Sequence, residues 1–238
     1  MIQGGGTIDS PSKFLNSIEM KNFIFLFFLS ILPKCDCGSD PCISILKINA
    51  FVNPYRLNYA LGDTITVTSS FLIRVPGFSS NGELIDSIDI SDLDIIPTTG
   101  FYRIDTLSNG VSEFSKYFYF IPNFDFNYGI EKFSSGDEFL TGKYKVTNDS
   151  MRLKVSFSTK KEGVYCLSQT VVPEMEEEVF FPGGCHGYEV HVTMNETFDN
   201  HLDLLESSPD PFYNTFLIEQ EKELGLLTKR GMFCFIVE

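Results

Sequence analysis

The chain has 238 residues, 43% of them hydrophobic, and a formal charge of −14 from 32 acidic against 18 basic side chains. That length and apolar content suffice for one sizeable core, and a near-zero mean hydropathy excludes both a disordered tail and a polytopic membrane protein. The acidic balance repels phosphate backbones, so no nucleic acid is expected as a partner.

Residues 1–19 are rich in Gly and Ser and read as a non-native or misannotated extension, with translation starting at Met20. Residues 20–34 then combine a basic start at Lys21, the apolar run Phe23–Leu32 and a stop at Pro33-Lys34. Ten apolar residues in a helix reach only about 15 Å, roughly half of a bilayer's hydrocarbon thickness, so a membrane span is not expected. A secretory signal peptide is. Residues 35–42 follow as a cysteine-rich leader, and 43–238 as one domain.

The domain has a β texture: 24 Phe and 10 Tyr, no Trp, and short apolar runs punctuated by Gly, Pro, Asn and Asp. Strands are predicted over Ile43–Phe51, Ile65–Ile73, Phe101–Ile104, Lys116–Ile121, Lys143–Thr147, Met151–Phe157, Gly163–Gln169, Tyr188–Thr193 and Met232–Val237. In the second of these, Ile65, Val67, Ser69, Phe71 and Ile73 share one face. Thr147-Asn148-Asp149-Ser150 separates two alternating runs and predicts a hairpin. Asp210-Pro211-Phe212 offers a cap with proline in the first turn of a short C-terminal helix. Phe212, Phe216, Leu224 and Leu227 line one face of that helix, and Gly225 ends it. The helix is expected across one end of the sheet, with a shorter turn over Asn200–Leu205. The fold class is mainly β: an Ig-like antiparallel β-sandwich with a short C-terminal helix. A β-barrel has the same periodicity and stays open.

In an exported chain the cysteines are expected to pair. Candidates are Cys37, Cys42, Cys166, Cys185 and Cys234. A Cys166–Cys185 bridge would enclose the acidic run Glu174–Glu178 and stabilise by roughly 3 kcal/mol through chain entropy. It is preferred to its rival, Cys166–Cys234. Cys185, His186 and His191 lack the second ligand pair of a zinc site. Asp86, Asp89, Asp92 and Asp94 lack the central glycine and terminal glutamate of a calcium loop and read as a solvated acidic loop. No cofactor and no metal are assigned.

No Gly-x-Ser-x-Gly elbow, His-Glu-x-x-His helix or phosphate-cradling glycine loop is present, and no catalytic residue is assigned. Tyr117-Phe118-Tyr119-Phe120 and Phe124-Asp125-Phe126-Asn127-Tyr128 place large rings on both sides of extended chain. A phenylalanine-rich core with wet tyrosine edges is the preferred reading of these strings, and a binding surface made of Tyr117, Tyr119 and Tyr128 is the rival. Loops around Asp86–Pro97 and Asn123–Gly136 are expected to supply specificity.

Cys35, at the end of the apolar run with Leu32 three residues before it, resembles the lipid-attachment cysteine of bacterial lipoproteins, although Lys34 replaces the usual small residue. Together with Tyr59–Val67 and the terminal Gly231–Glu238, the segment Lys21–Cys35 looks like exported proteins of Bacteroidota. That resemblance implies an Ig-like sandwich at the cell envelope, lipidation at Cys35, and glycosylation at Asp-Ser/Thr-aliphatic or Met triplets. Asp63-Thr64-Ile65, Asp86-Ser87-Ile88, Asp105-Thr106-Leu107 and Asp149-Ser150-Met151 match; Thr64 stands at a strand entry and is the poorest acceptor, which leaves Ser87, Thr106 and Ser150 as the candidates. Asn148 and Asn195 head Asn-x-Ser/Thr triplets as well. The expected function is non-enzymatic: a secreted or outer-membrane-associated accessory subunit, or a module binding an envelope protein or glycan. It would meet the membrane only through an N-terminal lipid. The alternative is a secreted carboxylate-dependent hydrolase, which requires two acids roughly 5–9.5 Å apart in a cleft.

Overall fold

The computed structural model describes residues 43–93, 95–173, 184–196 and 198–238. Residues 1–42, with the expected signal peptide and Cys35, Cys37 and Cys42, lie outside the described residues, as do Asp94 and the side chain of Cys185. Among the described residues, no helix is long and apolar enough to cross a membrane.

Two sheets form the body. The first has the order β10-β11-β3-β1-β4-β5, that is Lys145–Thr147, Ser150–Thr159, Thr64–Leu72, Ile43–Asn53, Arg74–Phe78 and Leu84–Asp89. β13 (Gly184–Met194) pairs with β1, and β7 (Phe118–Ile121) pairs with β11. The second sheet runs β2-β14-β12-β6-β9-β8: Asn58–Tyr59, Met232–Val237, Gly163–Pro173, Ile95–Arg103, Glu138–Gly142 and Tyr128–Lys132. Pairing among these strands is antiparallel except for β1 with β13 and β2 with β14.

Alternation builds the core between the sheets. Ile65, Val67 and Ser69 of β3 point inward, as do Met151, Leu153, Val155 and Phe157 of β11. Ser69 is tolerated there because its hydroxyl donates to the Asn49 carbonyl at 2.6 Å. Facing them from the second sheet are Phe101, Tyr165, Leu167, Phe233 and Phe235. Phe101 has its ring centroid 4.8 Å from both Phe114 and Phe157, and 5.2 Å from Phe118. Each such ring pair contributes about 0.5–1.5 kcal/mol beyond its buried area.

A second apolar cluster lies on the other side of the second sheet. Cys166, Met232 and Cys234, which point away from the core, pack with Ile104, Leu205, Tyr213, Leu217 and Leu227. The covering layer is a 3-10 turn at Leu202–Ser207, a π-helical turn at Phe212–Leu217, and two short helices at Ile218–Leu224 and Leu226–Lys229. The helix therefore covers a face of the second sheet, not one end of it. Asp210 starts it: one carboxylate oxygen accepts from the Phe212 N–H at 3.0 Å, the other from Ser108 and Asn109 at 2.8 Å each. Gly225, at φ +60°, ends Ile218–Leu224 in the left-handed conformation that glycine adopts without cost.

Cys166 and Cys234 sit directly opposite each other on β12 and β14 and form a disulfide. This overturns the preferred Cys166–Cys185 pairing. Register, which loop length does not reveal, puts the two sulfurs together on one face.

Three local expectations also change. Leu84–Asp89 is an edge strand, not an acidic loop, because Ile88 and Ile90 bury their side chains while Asp86, Ser87 and Asp89 face water. Tyr128–Lys132, inside what reads as a specificity loop, is a strand that pairs with Glu138–Gly142 as a hairpin. Phe114–Tyr117 is one helical turn, so the strand predicted from Lys116 begins at Phe118.

Candidate functional site

The three tyrosines predicted as a binding surface are not brought together. Tyr117 is buried, with its hydroxyl donating to Glu113 at 3.1 Å. Tyr128 is half-buried on the edge of the second sheet, its hydroxyl 3.0 Å from Thr99 Oγ1 and 3.2 Å from the Pro97 carbonyl. Burial raises the pKa of this phenol. Tyr119 projects from β7, 57% exposed, with the Lys160 ammonium 4.8 Å from its ring centre. Ile121 and a fully exposed Phe124 follow it.

The candidate glycan acceptors lie apart from one another. Ser87 is exposed on edge strand β5 and Thr106 is exposed in the loop after β6. Ser150 opens β11, half-buried, with its hydroxyl donating to the Thr147 carbonyl at 3.1 Å. Asn148 is exposed in the hairpin turn at φ 53°. Asn195 cannot serve as an acceptor as it stands: it is 2% exposed and its amide is engaged inside the fold.

That engagement locates the most distinctive surface among the described residues. Asn195 N–H donates to Ala50 O, its Oδ1 accepts from Val52 N–H at 2.8 Å, and its Nδ2 donates to Asn200 Oδ1 at 2.9 Å. Asn200 in turn donates to Met194 O and accepts from Cys234 N–H through its carbonyl, both at 2.9 Å. The segment after β13 is thus tied to β1 of the first sheet and β14 of the second. It also holds Asn195, Glu196 and His201 at φ 54°, 48° and 54°. Left-handed backbone is unusual for non-glycine residues and persists where surrounding bonds over-determine it.

On this anchored segment Phe198 is 59% exposed and its ring centroid lies 4.9 Å from that of Tyr55. Tyr55 reaches it from the cis Asn53-Pro54 turn, and its hydroxyl donates to the Asp199 carbonyl. Burial and the nearby Asp199 charge raise the Tyr55 pKa. The His201 ring packs against both Tyr55 and Phe233, at centroid distances of 5.8 and 5.7 Å. Asp199, His201 and Asp203 each bring one donor atom into a group whose members lie within 4.8 Å of one another. This is the one such group of potential metal ligands among the described residues. Flat exposed rings suit a sugar face or an apolar side chain, and the carboxylates with the imidazole suit a cation. The Asp-x-His-x-Asp spacing was visible in the sequence; the approach of Tyr55 from 143 residues away was not.

A hydrolase acid would need its pKa raised. Among the described residues, the carboxylates that do shift, Asp89, Glu138 and Asp210, move downward. For Asp89 the chief cause is hydrogen bonding from Ser91. In Glu138 and Asp210, burial acts upward and is outweighed by the donors around each carboxylate.

Strand order and register define the class: an Ig-like antiparallel β-sandwich with a short helical layer near the C-terminus. No protein-family model matches the chain, and no curated protein does either. Among solved structures, it is similar to a type II cohesin domain from the cellulosome of Acetivibrio cellulolyticus, at 12% identity and TM-score 0.28, over 61% of this chain and 91% of that one. The human F-spondin reeler domain matches at 12% identity and TM-score 0.29, over 63% and 89%. A cohesin module from a Clostridium perfringens family 33 glycoside hydrolase matches at 11% and 0.27, over 62% and 98%. At these identities and scores the fold rests on the strand pairings alone.

Proposed function

We propose that the chain is a non-enzymatic, exported module of the cell envelope that binds a glycan or a protein partner through the Tyr55–Phe198 surface. One observation carries this reading: two adjacent aromatic rings are offered to solvent on a segment tied by hydrogen bonds to both sheets. Rigid, pre-positioned aromatics lose little conformational entropy on binding. The Cys166–Cys234 bridge supports export, since structural disulfides persist in oxidising compartments. In the finer form of the proposal, residues 20–34 are removed, Cys35 carries lipid, and Ser87, Thr106 and Ser150 carry sugars, as in the Bacteroidota proteins that the sequence resembles.

The test is twofold. Intact mass spectrometry of native protein from fractionated cells should find it in the envelope or medium, beginning after residue 34. Affinity electrophoresis against a panel of envelope polysaccharides, together with crosslinking in intact cells, should find a partner whose retention falls at least tenfold in the Tyr55→Ala/Phe198→Ala double variant. Cytosolic recovery with residues 20–34 intact would refute export. Unchanged retention in the double variant would refute the surface.

A further inference from the structure

We propose that Asp199, His201 and Asp203 bind a divalent transition-metal ion, with zinc as the reference case. The donors come from alternate positions of one short segment, and each is placed by a separate feature of the fold. The His201 ring packs against both Tyr55 and Phe233, and only 16% of the side chain is exposed. Its Nδ1 is the nitrogen turned toward Asp199, and its Nε2 is buried without a hydrogen-bond partner. Asp199 uses Oδ1 to accept from the His201 backbone N–H at 2.8 Å, which leaves Oδ2 directed at the ring. Asp203, on the first turn of the 3-10 segment, closes the group.

The spacing accommodates an ion between the donors. Asp199 Oδ2 and His201 Nδ1 are 3.8 Å apart, within ion-pair range but too far for a hydrogen bond. Two ligand atoms that are each about 2.1 Å from a tetrahedral ion lie about 3.4 Å apart. All three donors fall within 4.8 Å of one another. His201 itself has left-handed backbone, at φ 54°.

The donor chemistry narrows the metal. Two carboxylates balance a double positive charge, and an imidazole favours zinc, copper, iron or nickel over calcium and magnesium, which prefer shells built from oxygen. Three protein ligands leave at least one position for water or an incoming group. The ion would therefore sit beside the exposed Tyr55–Phe198 pair with an open site, although the proposal stands whether or not that surface binds a glycan or protein.

Isothermal titration of zinc chloride into the full, untagged, oxidised chain, with any free thiols alkylated, tests the site. One equivalent should bind, and calcium or magnesium at the same concentrations should bind at least tenfold more weakly. Asp203→Asn, which leaves the Asp199 hydrogen bond untouched, should lower zinc affinity at least tenfold, and His201→Gln should lower it further. Circular dichroism should show both variants folded. Absence of stoichiometric zinc binding, equal affinity for calcium, or wild-type affinity in a folded Asp203→Asn or His201→Gln variant would overturn the assignment.

Discussion

The two sheets alternate in the same way on their inner faces and differ on their outer ones. On β11 and β3 of the first sheet the outward positions are Arg152, Lys154, Ser156 and Ser158, and Thr64, Thr66, Thr68 and Ser70, exposed or half-exposed. On β12 and β14 of the second sheet they include Cys166, Met232 and Cys234, all buried. Strand periodicity alone makes a sandwich. The chemistry of the residues between the core positions decides whether water or a third layer covers the outside. In the second sheet that layer is the helical segment 202–229, and the disulfide lies beneath it.

Four substitutions probe this contrast, from the largest expected effect to the smallest. Phe157→Ala removes a fully buried ring that contacts Phe101, Phe114 and Phe118, and should cost about 3–5 kcal/mol in urea unfolding. Cys166→Ala/Cys234→Ala should cost about 2–5 kcal/mol. A cost near zero would mean that the outer cluster does not depend on the bridge. Asp210→Asn weakens the anchoring of the helical layer to Ser108, Asn109 and Phe212, and should cost about 1–2 kcal/mol near pH 7.

This last effect has a definite pH signature. The Asp210 pKa is lowered in the fold, because its three backbone donors outweigh the upward effect of burial. Its extra stabilisation is therefore fully present above the unfolded value of about 3.9 and is lost as pH falls below that, through the folded value. The difference between wild type and Asp210→Asn should be constant from pH 7 to 5 and shrink below about pH 4. Smallest of all, Lys154→Ala on the wet face of the first sheet should change stability by no more than about 0.5 kcal/mol.

Much of the sandwich could be read from the residues. β1, β3, β11, β12 and β14 announce themselves by alternation, the Asn148-Asp149 turn by its composition, and the helix by Asp210 and Gly225. Edge strands were harder: β5 hides Ile88 among aspartates, and β8 is short and mixes Tyr128 and Ile130 with Glu131 and Lys132, so both read as loops. Tyr117 looks like an exposed ring in sequence, but the helical turn Phe114–Tyr117 rotates it inward against Tyr165. Cysteine pairing depends on strand register, which spacing does not encode. The packing of Tyr55, contributed by a distant loop, against Phe198 and His201 is equally invisible to spacing.

The most direct measurement is a disulfide map of the native, unreduced protein by proteolysis and mass spectrometry. The buried outer face of the second sheet predicts one linked peptide pair joining Cys166 to Cys234. A Cys166–Cys185 link, or both cysteines recovered as free thiols, would contradict the register of β12 and β14 and the oxidising environment inferred from their bridge.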